Sequence, residues 1–194
     1  MPETSVSLLE RLRLCPDAPS WQRLVDLYTP LVRAWLQRQG LQPADADDLV
    51  QEVMGVLIRE LPGFEHDRRT GAFRRWLRGI AVNRLRELWR RRGDAAHGSG
   101  DSDMARQIDQ LEDPHSHVSK LWDLEHDRHV MGRLMALIEA EFPTTWWRVF
   151  QRHVREGAPA ADVAAELNVS VNVVLLAKSR ILRRLRQEAQ GLLD

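Results

Sequence analysis

The 194-residue chain has little cysteine, little tyrosine and no long apolar run, and each shortage excludes something. A single cysteine, Cys15, cannot close an internal disulfide, which removes the disulfide-stapled extracellular folds. No charged-then-apolar leader precedes it, so a reducing, cytoplasmic setting is expected. Uncharged apolar stretches fall far short of the roughly 20 residues that cross a bilayer, and no membrane insertion is expected. Strand signals are equally scarce: there is no sustained apolar/polar alternation and no Asn-Gly or Asp-Gly hairpin turn. The signatures of serine hydrolases, P-loop nucleotide binders, zinc proteases and dinucleotide-binding folds are missing, so an enzyme of those classes and a cofactor are not expected. His115, His117, His126 and His129 lie close together, but without paired ligands at finger spacing they predict no metal site.

What is present is a helical pattern and an uneven distribution of charge. Apolar residues make up 43% of the chain and recur mostly at intervals of three and four, which predicts an all-α fold. Helices are expected at about 5–14, 20–39 with a break at Pro30, 43–60, 71–92, 117–141, 144–155, 159–167 and 170–190. Basic and acidic residues balance at 28 each, yet residues 1–92 hold sixteen arginines against twelve acids and residues 93–145 hold four basic residues against eleven acids. Residues 93–116, rich in Gly, Ser and Asp, read as a flexible acidic linker. The expected organisation is therefore two small helical domains, 1–92 and 117–194, flanking that linker.

Ten of the arginines fall within residues 68–92, where Glu87 is the only acid. A solvated helix face would normally alternate Glu with Arg, so this concentration points to a polyanion. On the 71–92 helix, Phe73, Leu77, Ile80, Ala81, Leu85 and Leu88 fall on a core face. Beside it runs a second stripe: Trp76, Gly79, Asn83, Arg86 and Arg90. An aromatic plane, an amide and guanidiniums in a row suit unpaired nucleic acid: the ring stacks a base, the amide meets a base edge and the cations hold phosphates. Trp76 also fits the rim of a core, a reading that leaves Gly79 and Asn83 unexplained.

Two further segments stand out. The 43–60 helix opens on Pro43 and the acids Asp45, Asp47 and Asp48, which suit the positive end of a helix dipole. Ala46, Leu49, Val50, Val53 and Leu57 face inward there, leaving Asp48, Gln51, Glu52, Gly55 and Arg59 outside for capping or for a partner. Near the C-terminus, residues 160–167 and 171–186 form a helix-turn-helix pattern with Ser170 as the N-cap of the second helix. Val171, Val174, Ala177, Ile181 and Leu185 are expected inside. Asn172, Leu176, Ser179, Arg180 and Arg183 are expected on the outer face, where a recognition helix meets a DNA groove.

Three runs, DADDLVQEV at 45–53, FRRWLRGIAVNRLRELWRRR at 73–92 and VREGAPAADVAAELNVSVNVVLLAKSRILRRLRQE at 154–188, together resemble the extracytoplasmic-function group of bacterial sigma-70 family RNA polymerase sigma factors. The resemblance implies a region 2-like bundle, a region 4-like helix-turn-helix and no enzymatic activity. It implies that Asp48, Gln51 and Glu52 dock on core RNA polymerase. It further implies that Phe73, Arg74, Arg75, Trp76, Arg78, Asn83, Arg86 and Arg90 recognise and melt the minus-ten element of promoter DNA, with the 62–72 loop capturing a base. Asn172, Leu176, Ser179, Arg180 and Arg183 would read the minus-35 element, although relatives often carry Lys or Arg where this chain has Leu175 and Ala177. An anti-sigma factor is a further partner of the kind the resemblance admits. The alternative reading is a helix-turn-helix regulator that does not engage polymerase. Residues 93–116 as a coil would span about 27 Å, against roughly 70 Å between promoter elements two helical turns apart, so a scaffold such as core polymerase would have to hold the domains apart.

Overall fold

The computed structural model describes residues 7–14, 17–64, 71–95, 109–111, 113 and 115–193. Every regular element among them is helical: α1 (Leu8–Leu14), α2 (Ala18–Arg38), α3 (Pro43–Glu60), α4 (Ala72–Ala95), α5 (His117–Glu139), α6 (Thr144–Phe150), α7 (Ala160–Glu166) and α8 (Val171–Ala189), with a 3-10 turn at Leu61–Gly63 and a π-helical segment at Gln151–Arg155. Among the described residues no single helix is long and apolar enough to cross a membrane.

Contacts divide the chain into two units, Leu8–Val130 and Met131–Gln190. The division falls inside α5, whereas the sequence pattern put it at 116/117. The reason lies in what the first half of α5 buries: Ser119, Trp122, His126 and Val130 are all enclosed with the N-terminal unit. The acidic segment before it is not wholly a spacer either. The α4 helix extends into it as far as Ala95, Leu111 is buried, and the Ser119 hydroxyl donates to the Asp113 carbonyl at 2.6 Å.

In the N-terminal unit the expected inward faces close on one another. Ala46, Leu49, Val50, Val53 and Leu57 of α3 and Phe73, Leu77, Ile80, Ala81 and Leu85 of α4 are buried, joined by Leu24, Tyr28, Leu31, Val32 and Trp35 of α2, while Leu88 is only half-buried. The α2 helix starts two residues earlier than expected because Asp17 caps it, its carboxylate accepting from the Ser20 amide at 2.7 Å with Pro19 in the first turn. It also runs through Pro30 without the expected break. Pro30 sits on the exposed side, where the carbonyl it leaves unbonded can meet water, and burial of Tyr28, Leu31 and Val32 holds the helix on either side.

The C-terminal unit contains the helix-turn-helix. The axes of α7 and α8 bend by 109°, within the range of that motif. Asn168 adopts a left-handed φ of 52° at the turn, a conformation its short polar side chain tolerates. Ser170 then caps α8, its hydroxyl accepting from the Val173 amide at 3.3 Å. Val149, Val163, Ala164, Val174 and Ala177 form the core, with Trp146 and Leu167 packed against it. Val171, expected inside, is exposed, because it belongs to the first turn of α8 and precedes the stretch that reaches this core.

Candidate nucleic-acid interface

The arginine-rich α4 does not present all its predicted residues alike. Phe73 is fully buried, edge-on to Phe64 at 5.9 Å and packed on Tyr28 at 5.3 Å, so it holds the helix in place and cannot meet a base. Trp76 is half-buried, and one face of its indole lies on Phe64, with the ring centroids 4.6 Å apart. Gly79, Asn83 and Arg90 follow along the same stripe and are exposed. A Cβ at Gly79 would meet nothing within 4 Å, so packing within the protein does not require glycine there. Arg86 lies between them, half-buried, its Nη1 donating to the Asn83 Oδ1 at 3.5 Å. The stripe read from the sequence is thus open along most of its length, with the tryptophan anchored at one end.

The remaining predicted arginines of α4 separate into two groups. Arg75 is exposed. Arg74 and Arg78, expected to face DNA, are turned into the protein. Arg74 grips Asp127 through Nη1 at 2.9 and 3.0 Å and lies 3.3 Å from Asp123 through Nε. Arg78 is 7% exposed, and burial lowers its affinity for the proton, with Asp123 as the nearby opposing charge. Sequence periodicity along α4 gives no sign of this, because the carboxylates belong to a helix more than forty residues downstream.

On α3 the acids divide in a way that the sequence left open. Asp45 meets Arg92 at 2.5 Å and Asp47 meets Arg33 at 2.6 Å, so these two tie α3 to its neighbours. Asp48, Gln51, Glu52 and Gly55 form one exposed stripe, and neither Asp48 nor Glu52 is in an ion pair among the described residues. Ion pairs with arginines of α2 and α4 therefore account for Asp45 and Asp47 and leave the second set without an internal role among the described residues.

The outer face of α8 is open. Asn172, Leu176, Ser179, Arg180 and Arg183 of α8 are exposed. Arg180 lies over the ring of Trp146, 5.5 Å from its centroid, a cation–π contact that orients the guanidinium. Residues to which sequence reasoning gave no role are Tyr28, Trp122 and His126. The Tyr28 hydroxyl and the His126 Nε2 are 3.3 Å apart, and the Trp122 indole N–H donates to the Arg74 carbonyl at 3.2 Å. The signal that could have found them is the spacing Trp122, His126, Val130 along one face of α5. Among the described residues no three of His, Cys, Asp and Glu are grouped to hold a metal. The 62–72 loop assigned to base capture lies outside the described residues between 65 and 70.

Residues 24–94, the span from α2 to the end of α4, match the family model for sigma-70 region 2. No curated protein matches the chain. The match is to that one region and spans well under half of the chain.

Proposed function

Taking as premise a chain that carries a sigma-70 region 2 over residues 24–94, we propose that this protein is an alternative sigma factor of the extracytoplasmic-function group, working in the cytoplasm. It binds core RNA polymerase, directs it to a particular class of promoters and helps melt the minus-ten element. The observation that carries this reading is the exposed Gly79–Asn83–Arg90 stripe, with Trp76 at its head, on a helix inside the matched span.

The protein itself makes no bond. Its work is to favour the opened duplex, in which a captured base regains on protein what it loses in the stack, a few kcal/mol per step. Asn83 presents donors and an acceptor for a base edge, and Arg86 and Arg90 hold the strand by its phosphates. Asp48, Gln51 and Glu52 form the docking stripe for core polymerase, since Asp45 and Asp47 are engaged within the chain. In the C-terminal unit α8 reads the minus-35 element through Asn172, Ser179, Arg180 and Arg183, with apolar contact from Leu176. On this reading residues 1–92 serve as the region 2-like domain, with 117–130 packed into the same unit, and the rest of 117–194 as the region 4-like one.

A regulator that keeps only the helix-turn-helix would leave the α3 stripe and the α4 stripe without work. Run-off transcription with purified core enzyme on a library of genomic fragments separates the two. The sigma reading requires transcripts that depend on the added protein and start downstream of a shared motif, and protein-independent output would overturn it.

A further inference from the structure

Arg74 and Arg78 belong to the face proposed to engage promoter DNA, yet neither is available to a strand in this structure. Covering them is the first half of α5, which carries Asp123 and Asp127 one turn apart on the same face. Carboxylate and phosphate satisfy a guanidinium through the same two-pronged geometry. Two carboxylates in a row on a helix present Arg74 with what successive phosphates of a strand would present. Both oxygens of Asp127 accept from Arg74, at 3.0 and 2.9 Å, and Asp123 stands 3.3 Å from its Nε.

We infer that the first half of α5 is an internal competitor for nucleic acid: Asp123 and Asp127 occupy the positions of strand phosphates, so Arg74 and Arg78 form a backbone-binding site that is closed in the free chain and opens when this helix segment lifts away. The inference rests on the sigma-factor reading and adds a regulatory contact to it.

Three observations bear on it. The polar ties of the segment to the rest of its unit are few, and lifting it must break them and uncover the buried Ser119, Trp122, His126 and Val130: Trp122 donates to the Arg74 carbonyl and stands edge-on to Trp35, His126 meets the Tyr28 hydroxyl, the His129 Nε2 is 2.7 Å from the Leu27 carbonyl, and Glu125 pairs with Arg38. The closed arrangement leaves Arg78 incompletely served: its buried Nη1 has no hydrogen-bond partner, and although Asp123 attracts the guanidinium, Arg75 and Arg74 repel it. An enclosed cation lacking a full set of partners is costly, and phosphates would relieve it. Finally, the site is shaped around Arg74. Gly71, at φ 73°, lies beneath the guanidinium, and a Cβ there would come 2.6 Å from the Arg74 Nε.

The test uses the full chain without polymerase and a fluorescein-labelled single-stranded DNA oligonucleotide of mixed sequence, with binding followed by anisotropy over a range of salt. The double variant D123N/D127N is expected to bind at least about tenfold tighter, with a salt dependence steepened by about 0.7 for each phosphate newly engaged. E139Q, which removes an exposed carboxylate from the far end of α5, beyond this segment, is expected to leave both unchanged. Equal affinity and slope for the double variant and the parent would overturn the inference. Hydrogen exchange on the unmodified chain is the second measurement, independent of any variant's folding. Adding the oligonucleotide is expected to deprotect amides in 117–130, and unchanged or increased protection there would also overturn it. A parent chain that drives promoter-specific run-off while both measurements fail removes the competitor and leaves the sigma reading intact. Tighter binding by the double variant without any polymerase-dependent transcript supports the competitor and removes the sigma reading.

Discussion

The indole of Trp76 lies on the ring of Phe64, with centroids 4.6 Å apart and planes within 25° of parallel, and Phe64 in turn meets Phe73 edge-on. The tryptophan is thereby fixed by an aromatic stack rooted in a fully buried residue. A ring held in one orientation is a better platform for a base than a mobile one, since no rotamer freedom is lost when the base arrives. It follows that Trp76→Ala should spare closed-complex formation and impair opening. A base–aromatic stack is worth about 1–3 kcal/mol, so permanganate reactivity of unpaired thymines at the minus-ten element should drop roughly 5- to 150-fold, with Trp76→Phe retaining part of it. Full reactivity in the alanine variant would remove the melting role from this residue.

The division of the α3 acids gives a prediction with an internal control. Asp48→Arg reverses a charge that is exposed and makes no ion pair among the described residues, and exposed substitutions of that kind change stability by within about 0.5 kcal/mol. Affinity for core polymerase should nevertheless fall by an order of magnitude or more, read by competition against a labelled sigma factor. Asp45→Asn should do the reverse. It gives up the bridge to Arg92, a partly exposed pair worth about 0–1 kcal/mol, and leaves polymerase binding alone. Equal losses of polymerase affinity in both variants would point to helix disruption and against a docking stripe.

Much of this arrangement was legible in the sequence, for a physical reason. The inward faces of α3 and α4 and the helix-turn-helix followed from a 3.6-residue period, from Ser170 as a cap and from Pro43 at a helix start, all of which are local. What the sequence did not yield are pairings between distant elements. Trp122 and His126 read as part of a C-terminal domain because they are continuous with it in the chain, yet they bury against Tyr28 and Trp35 about ninety residues earlier. Arg74 and Arg78 read as DNA-facing for the same reason: charge density along one helix says nothing of carboxylates brought to it by another. Pro30 shows the converse, a local breaker overridden by burial of its neighbours.

The cap on α8 gives a stability prediction confined to the C-terminal unit. Ser170 caps the first turn of α8, with the Val173 amide 3.3 Å from its hydroxyl. Ser170→Ala should cost about 1 kcal/mol, measured by denaturant unfolding, and Ser170→Asp should restore it because a carboxylate both caps and complements the helix dipole. If α8 carries minus-35 recognition, Ser170→Ala should also weaken binding to a minus-35 duplex by no more than the fraction of that unit it unfolds. A much larger loss would place Ser170 itself on the DNA.

His126 provides a pH dependence whose sign can be worked out. It is wholly buried between the Tyr28 hydroxyl, 3.3 Å from Nε2, and the Asp127 carboxylate, 3.1 Å from Nδ1. A neutral ring with the proton on Nδ1 satisfies both: it donates to Asp127 and accepts from Tyr28, which burial keeps protonated by raising its pKa. Burial lowers the His126 pKa below its ordinary value, and the hydrogen bond and charge of Asp127 only partly oppose this. The unfolded chain therefore takes up a proton near about pH 6.5 while the folded chain does not. Between that pH and the lower folded pKa the unfolded state holds more protons, so the contribution to stability is complete above about 6.5 and declines as pH falls through this window. His126→Gln has no proton to gain, and although it is less stable overall it should lose less stability than the parent between about pH 7.5 and 5.5. Denaturant midpoints at the two pH values measure the difference, in which the remaining histidines cancel. Identical pH slopes for variant and parent would show that His126 does not titrate differently in the folded and unfolded chains, and would remove the buried neutral ring from the account of how α5 is held.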